Sequence, residues 1–360
     1  MKKTIALILA VLMLLPCFFT AAVAAIDEGE EADPLFGIAD GYVRTKATRK
    51  GSDGNVHSTV CAYDAKGNLI KEVTVSRNGD GVYEKAVTAC AYDKSGHLTK
   101  KAETVTRPND GRSTKTTTAY TYNKQGLPVK EVCKSRSSTG YFCNTTTVTT
   151  YDKAGNQVNR AIKTVNDDDV TKENYAWTYD KKGNVVKEVW TYRSVSPYRT
   201  ETASSITTYT YDKAGNLTKQ VEQYENSRGR EMLTTQRNTY DSAGRLIKNV
   251  TEILGSKYGE VGYTTTYTYD QKGNVAKKVI VYKNETYGTT VETTVYTYDK
   301  NGRKIKEVYS ERGDTYTSKT TTAYTYDKAG NLLKMVLVEK TSYNGTSKTV
   351  WTYAYQKIGA

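Results

Sequence analysis

The sequence predicts an all-β protein: an antiparallel β-meander of about ten two-stranded repeats, coiled into a spiral or a partly closed shell or barrel. Two observations support this class. A turn motif recurs in register along the chain at steps of roughly 28 to 32 residues, which is in the range of repeat architectures. Each copy of the motif is also flanked by two runs of strand-forming residues.

The repeated motif is a tyrosine followed by aspartate, or once by Asn123, with glycine three residues after that position. An active site is normally assembled once from unlike residues, so ten copies in register indicate a role in the scaffold. The motif begins at Tyr63, Tyr92, Tyr122, Tyr151, Tyr179, Tyr211, Tyr240, Tyr269, Tyr298 and Tyr326.

The residues of the motif predict a tight hairpin turn. Aspartate can accept a hydrogen bond from the backbone two residues ahead, which starts a turn. Glycine then adopts the positive φ that other residues resist. The segment Tyr211-Asp212-Lys213-Ala214-Gly215-Asn216 therefore predicts a type I turn closed by a glycine bulge.

Strands precede and follow each turn. Alternating threonine and tyrosine, as in Thr208 to Tyr211, predicts the first strand, and Leu217 to Val221 is typical of the second. A less regular turn, such as Glu225 to Arg230, ends the repeat. We expect the repeat tyrosine, the aromatic residue two before it, the Leu or Val six after it and the Val or Ala ten after it to share the concave, buried face.

A lysine column complicates this assignment, because in a straight strand it shares the face of the Leu and Val positions. A β-bulge could shift the pleat and so move the lysines to the other face, or the lysines could line the mouth of the interior with packed stems and solvated ammonium groups. The sequence leaves both alternatives open. The lysines stand eight residues after the tyrosine in nine of ten copies: Lys71, Lys100, Lys130, Lys187, Lys219, Lys248, Lys277, Lys306 and Lys334.

The N-terminus predicts export. Lys2 and Lys3, the apolar run of residues 5–15 and the small residues 21–25 are typical of a secretory signal peptide, and Cys17 is a weak candidate for lipidation. We expect a signal peptide over residues 1–25, a flexible acidic lead over 26–40 and one repeat domain over 41–360. The protein is therefore predicted to be secreted or exposed on the cell surface.

Four cysteines follow the signal segment. Cys133 and Cys143 flank a turn nearly symmetrically, so we expect them to face each other across a hairpin and to form a disulfide in an exported protein. Cys61 and Cys90 both stand two residues before a repeat tyrosine. One strand separates them in a meander, so their Cα atoms are expected about 9 to 10 Å apart, beyond the reach of a disulfide.

The motif Tyr211 to Leu217, and its copy Tyr240 to Leu246, resembles the YD repeat, also called the Rhs repeat, of bacterial surface and toxin proteins and of teneurins. The likeness covers roughly residues 41 to 360. The resemblance implies a long β-sheet that spirals into a shell or barrel, which in some members encloses a toxic C-terminal domain. This chain has longer repeats than the family's usual length of about twenty residues, and no core or toxin segment is recognised after the array, so the encapsulating function is not expected.

Charge is the main functional indication. The chain has 52 Lys and Arg against 39 Asp and Glu, a net charge of +13. The lysine column is a candidate site for an anionic ligand such as a cell-wall polymer or host glycan, and less so for nucleic acid. The plainer interpretation is that lysine keeps a strand-rich surface soluble and prevents edge pairing.

Enzymatic chemistry is not predicted. The chain has two histidines and no spacing typical of a nucleophilic triad, a zinc site or a phosphate-binding loop, so no catalytic residue, cofactor or metal is expected. We predict a non-enzymatic binding or structural protein that binds glycans or other anionic polymers. The alternative is a shell-like module that sequesters a separately encoded polypeptide.

Overall fold

The computed structural model describes residues 42–255, 261–284, 288–313, 317–341 and 345–357. These ranges form 22 β-strands and no helix. The predicted signal peptide and acidic lead lie outside the described residues. The strands are β1 (Tyr42–Lys50), β2 (Val56–Tyr63), β3 (Leu69–Asn78), β4 (Gly81–Tyr92), β5 (Leu98–Arg107), β6 (Arg112–Tyr122), β7 (Pro128–Ser137), β8 (Phe142–Tyr151), β9 (Gln157–Asn166), β10 (Val170–Tyr179), β11 (Val185–Val195), β12 (Thr200–Tyr211), β13 (Leu217–Asn226), β14 (Glu231–Tyr240), β15 (Leu246–Leu254), β16 (Val261–Tyr269), β17 (Val275–Asn284), β18 (Gly288–Tyr298), β19 (Lys304–Arg312), β20 (Thr317–Tyr326), β21 (Leu332–Thr341) and β22 (Gly345–Lys357).

Every strand pairs antiparallel with the next strand in the chain, and the meander closes into a barrel. Closure occurs where β1 pairs with β22, from Tyr42 opposite Lys357 to Lys50 opposite Val350. The all-β antiparallel meander is confirmed. Of the predicted forms, a spiral or a partly closed shell or barrel, the structure shows a closed barrel, because the first and last strands supply each other's missing edge partner.

The barrel is wide. Moving from partner to partner around all 22 strands returns to β1 roughly 22 residues from the starting point, about one residue per strand. This stagger corresponds to a strand tilt of roughly 35 to 40° and a backbone diameter of roughly 40 Å. Side chains of the wall are too short to fill such a lumen.

The turn motif folds as its residues predict. In the turn between β12 and β13, Gly215 N donates to Asp212 O (3.1 Å) and Asp212 N donates to Asn216 O (2.9 Å). The carboxylate of Asp212 accepts from Asn216 N (2.8 Å) and Asn216 Nδ2 (2.9 Å). Gly215 has φ = 91°. The aspartate therefore holds the turn together and the glycine supplies its left-handed residue.

A β-bulge occurs in all ten hairpins built on this turn, at the junction before the repeat tyrosine. Tyr211 lies opposite Leu217 and Thr210 lies opposite Lys219, so Thr218 is the extra residue. Its hydroxyl donates to Thr210 O (3.0 Å). Because the pleat shifts by one residue here, the lysine lies on the opposite face from the tyrosine.

The bulge divides the barrel wall into two faces. The side that carries the repeat tyrosines and the residues two and four before them is called the aromatic face. The side that carries the nine column lysines and the residues one and three before the tyrosines is called the lysine face. The aromatic face is the more buried: Thr147 is 6% exposed, whereas its neighbour Val148 on the lysine face is 41% exposed. Side chains converge on the concave side of a curved sheet, so the aromatic face lines the lumen.

One part of the predicted buried face is wrong. The Val or Ala ten residues after the tyrosine lies on the lysine face, as Val221 does opposite Thr208, because the bulge precedes it. The Leu or Val six residues after the tyrosine precedes the bulge and shares the aromatic face, as Leu217 does.

The register also corrects the predicted cysteine geometry. Cys133 lies opposite Thr145 and Cys143 lies opposite Ser135, so the two cysteines are diagonal neighbours on the aromatic face rather than a facing pair. Diagonal Cα atoms are about 7 to 8 Å apart, which exceeds the usual span of a disulfide. The disulfide stays a prediction.

Tyrosine hydroxyls join each repeat to the preceding one. Tyr92 Oη donates to Leu69 O (3.0 Å), and the same bond recurs around the barrel, including Tyr63 to Arg44 O and Tyr355 to Leu332 O on either side of the closure. The other eight donors are Tyr122, Tyr151, Tyr179, Tyr211, Tyr240, Tyr269, Tyr298 and Tyr326. The repeat tyrosine therefore acts through its hydroxyl as well as its ring.

None of the described ranges contains a helix with the length and hydropathy that a membrane crossing requires.

Candidate functional site

The predicted lysine column forms a ring around the lysine face. Each column lysine pairs with a strand neighbour on both sides, as Lys71 does with Ala62 and Ala89. Lysines of adjacent repeats lie two strands apart and two residues further along the strand, roughly 11 to 12 Å, and Asn159 interrupts the column between Lys130 and Lys187. All nine, Lys71, Lys100, Lys130, Lys187, Lys219, Lys248, Lys277, Lys306 and Lys334, are exposed.

The ring carries uncompensated charge. Among the described residues, none of the nine lysines forms a salt bridge. Their direct neighbours in the wall are mostly alanine, valine and threonine, which leave the ammonium groups open to solvent. Nine positive charges therefore face outward at one level of the barrel.

A cavity of about 380 Å³ lies between β6, β7 and β8, nearer the opposite end of the strands. Lys115, Lys134 and Arg136 supply cations, while Phe142 and Asn144 supply an apolar wall and an amide. The cross-strand pairs Lys115–Arg136 and Lys134–Asn144 place these side chains on the lysine face. The cavity is suited to an anionic group.

The aromatic face carries carboxylates among its rings. Glutamate at the position nine after the repeat tyrosine lies directly opposite the residue two before it, as Glu131 lies opposite Tyr120 and Glu188 opposite Trp177. Tyr209 Oη donates to Glu188 Oε2 (2.9 Å). Carboxylates therefore stand beside rings on this face, which in other repeats carries the cations Lys101, Arg160 and Lys278 at the same position.

Burial shifts the pKa values of these groups. Desolvation raises the pKa of Tyr120 to about 12, helped by the negative charge of Glu131. Desolvation also raises the pKa of Glu131, which Arg160 partly offsets. The pKa of Tyr209 is raised by desolvation and then by Glu188. These tyrosines remain neutral donors at physiological pH.

His57 lies among hydroxyl groups on the aromatic face. His57 Nδ1 lies 2.8 Å from Ser76 Oγ and its Nε2 lies 3.3 Å from Tyr83 Oη. Ser76 is only 5% exposed, which makes it a poor nucleophile for an external substrate. No group of three or more His, Cys, Asp or Glu within the described ranges could hold a metal ion.

The carboxylates beside the rings were not predicted from the sequence. They stand at the position nine after the repeat tyrosine, where glutamate occurs in four copies: Glu72, Glu131, Glu188 and Glu307. Without the bulge, that position is assigned to the face opposite the tyrosines, so the carboxylates and rings are not recognised as neighbours.

No protein-family model matches the chain. Comparison with curated protein sequences gives no match. Solved structures do match: that of TcdB2-TccC3-TEV at 14% identity, over 80% of this chain and 21% of that one, with a TM-score of 0.18. Porin-like proteins match from Bacteroides uniformis ATCC 8492 (13% identity, 87% of this chain and 98% of that one, TM-score 0.24) and from Bacteroides vulgatus ATCC 8482 (14% identity, 59% and 93%, TM-score 0.22). The chain spans about a fifth of the length of the TcdB2-TccC3 chain it matches, and similarities this distant assign no activity to it.

Proposed function

We propose that this protein is an exported, non-enzymatic YD-repeat barrel that binds an anionic polymer, such as a cell-wall polymer or an acidic glycan, through its lysine face. The observation that carries the proposal is the ring of nine exposed lysines without an ion pair in the described part of the chain. A flexible polyanion can follow such a ring and contact several ammonium groups at once, which gives attraction without a shaped pocket.

The spacing of the ring supports a polymer over a small anion. Lysines of adjacent repeats, roughly 11 to 12 Å apart, are separated by more than one Debye length at physiological salt, so one small anion meets one lysine. A chain of anionic groups meets many lysines. Binding of this kind weakens steeply as salt rises, because counterions compete with the polymer.

The test compares two triple variants with equal loss of charge. Lys187→Gln, Lys219→Gln and Lys248→Gln remove three column lysines, while Lys101→Gln, Arg160→Gln and Lys278→Gln remove three cations of the aromatic face. Retention on immobilised heparin, with neutral dextran as the control matrix, is measured across a salt gradient. The column variant should elute at lower salt than the native protein, and the aromatic-face variant near the native position. Equal elution of both variants, or no retention of the native protein at low salt, would contradict the proposal.

A second candidate function is the enclosure of a separately encoded polypeptide. The observation that favours it is the lumen roughly 40 Å across between backbones, which wall side chains cannot fill. A protein held inside should co-purify at high salt, where heparin is released. Native mass spectrometry of the secreted protein after a high-salt wash distinguishes this candidate from a polyanion-binding barrel.

A further inference from the structure

Two of the three tryptophans lie together on the aromatic face. Trp177 stacks with Tyr175 at a centroid distance of 5.8 Å, and Trp190 stacks with Tyr192 at 6.0 Å and with Tyr224 at 6.3 Å. All five rings are partly exposed. We call this group, which spans β10 to β13, the aromatic platform.

The floor of the platform is built from small side chains. Trp190 lies opposite Ser205 of β12, and Ser205 lies opposite Tyr224 of β13. Ser205 is 7% exposed and Thr207 is 6% exposed, so the rings on either side cover them. The platform therefore presents ring surface toward the lumen.

Carboxylates stand among the rings. Glu173 Oε2 accepts from Tyr175 Oη (2.9 Å) and from Trp190 Nε1 (3.3 Å). Glu222 of β13 lies opposite Thr207 on the same face. Glu188, opposite Trp177, completes a set of three acids around the rings.

The platform lacks a cation of its own. Within β10 to β13 the aromatic face carries no lysine or arginine, and the nearest cation on this face is Arg160 of β9, opposite Tyr175. Among the described residues, no cation of the chain lies over the five rings.

Other rings of this face are covered by the chain's own cations. Arg49 lies over the ring of Trp351 at 5.6 Å, near the barrel closure. Further examples are Arg44 over Tyr353 (4.6 Å), Arg245 over Tyr269 (4.6 Å) and Arg303 over Tyr326 (4.9 Å). These four rings already carry a guanidinium group, whereas the platform combines open rings with three carboxylates.

We propose that the aromatic platform binds an external organic cation, an ammonium or guanidinium group, which rests on the face of Trp190 or Trp177 with Glu173 and Glu188 beside it. The ring quadrupole attracts the cation and the carboxylates add charge complementarity. Such a group can come from a free small cation or from a lysine or arginine side chain of a polypeptide in the lumen. The site lies on the opposite face from the lysine ring, so it holds whether or not the proposed function is correct.

The experiment measures binding to the full-length protein by isothermal titration calorimetry. The probes are choline chloride, a short arginine-rich peptide, and 3,3-dimethylbutan-1-ol, a neutral molecule with the shape of choline. Choline and the peptide should bind, and the alcohol should bind at least about tenfold more weakly, since a desolvated cation–π contact contributes enough for that ratio. If the peptide binds much more tightly than choline, a polypeptide side chain is identified as the source of the cation. If the two affinities are comparable, a free small cation is identified.

Three variants locate the site. Trp190→Ala should weaken choline binding about tenfold or more, and Glu173→Gln with Glu188→Gln should also weaken it while keeping every ring. The matched control is Trp351→Ala, whose ring already carries Arg49, and its choline affinity should equal that of the native protein. If Trp190→Ala fails to fold by circular dichroism, the glutamine pair decides. The proposal is overturned if no cationic probe binds, if the alcohol binds as well as choline, or if the glutamine pair binds choline like the native protein.

Discussion

Tyr211 Oη donates a hydrogen bond of 2.8 Å to Val185 O, a carbonyl of the preceding repeat. The backbone ladder between β11 and β12 begins only at Lys187 opposite Thr208, so the hydroxyl extends the contact between the two strands toward the rim. The same bond occurs eleven times around the barrel. It joins repeats where the strands alone do not.

Tyr211→Phe should destabilise the barrel by about 0.5 to 1.5 kcal/mol, the net contribution of one hydrogen bond, because the ring is kept and only the hydroxyl is lost. Urea unfolding followed by circular dichroism measures the change in midpoint. The control is Tyr198→Phe, since Tyr198 is 94% exposed and its loss of a hydroxyl should have no effect. An unchanged midpoint for Tyr211→Phe would show that the recurring bond contributes nothing to stability.

Among the ten regular turns, the one that has asparagine in place of aspartate suggests a rescue experiment. Asn123 Oδ1 accepts from Gln125 N and Leu127 N, and Leu127 replaces the side-chain donor that follows the other turn glycines. Asp212→Asn alone should destabilise the barrel, because the charge-assisted hydrogen bonds that Asn216 donates to the Asp212 carboxylate become weaker neutral ones. The pair Asp212→Asn with Asn216→Leu copies the natural turn and should recover part of the loss in urea unfolding. A double variant less stable than the single one would contradict this account.

Acid should destabilise the barrel through its turns. Hydrogen bonds from the following side chain and backbone lower the pKa of Asp64, Asp93, Asp152, Asp180, Asp212, Asp241, Asp270, Asp299 and Asp327. A group with a lowered folded pKa stabilises the fold above its unfolded pKa, and this stability is lost as the pH falls below about 4. Glu131, whose pKa is raised, makes the fold more stable at low pH relative to neutral pH, but it is one group against the nine aspartates. Urea midpoints at pH 7, 4 and 3 should therefore decrease, and a constant or rising midpoint would refute the expectation.

Gly215→Ala should lower the free energy of unfolding by about 1 to 2 kcal/mol, because φ = 91° at this position disfavours a residue with a Cβ atom. The space around Gly215 is open, so the cost comes from the backbone alone. Gly79→Ala is the control: it also lies in a turn with no atom within 4 Å of an added Cβ, and its φ is not in the left-handed region. Thermal unfolding of both variants should show a clear loss only for Gly215→Ala. Equal losses would mean that the left-handed conformation is not the cause.

The predicted disulfide is checked by mass spectrometry after alkylation in denaturant without reductant. A bond between Cys133 and Cys143 leaves label on Cys61 and Cys90 only. Label on all four cysteines would exclude the bond and agree with the diagonal register, in which each cysteine faces a serine or threonine instead.

The sequence alone determined the local structure. Aspartate and glycine at a constant spacing predicted the turns, because one accepts backbone hydrogen bonds and the other adopts positive φ at low cost. Alternating threonine and tyrosine predicted the strands between them. These features depend on neighbours within a few residues, so they can be inferred from the chain without its partners in space.

Only the tertiary structure decided which face each column occupies and whether the sheet closes. The extra residue at Thr218 and its equivalents inverts the pleat, and a shift of one residue exchanges the two faces of a strand. Closure depends on stagger summed over all 22 strands, which brings β1 beside β22. A small register difference in each hairpin is invisible in the sequence pattern, yet it places the lysine ring and the aromatic face on opposite sides of the barrel wall.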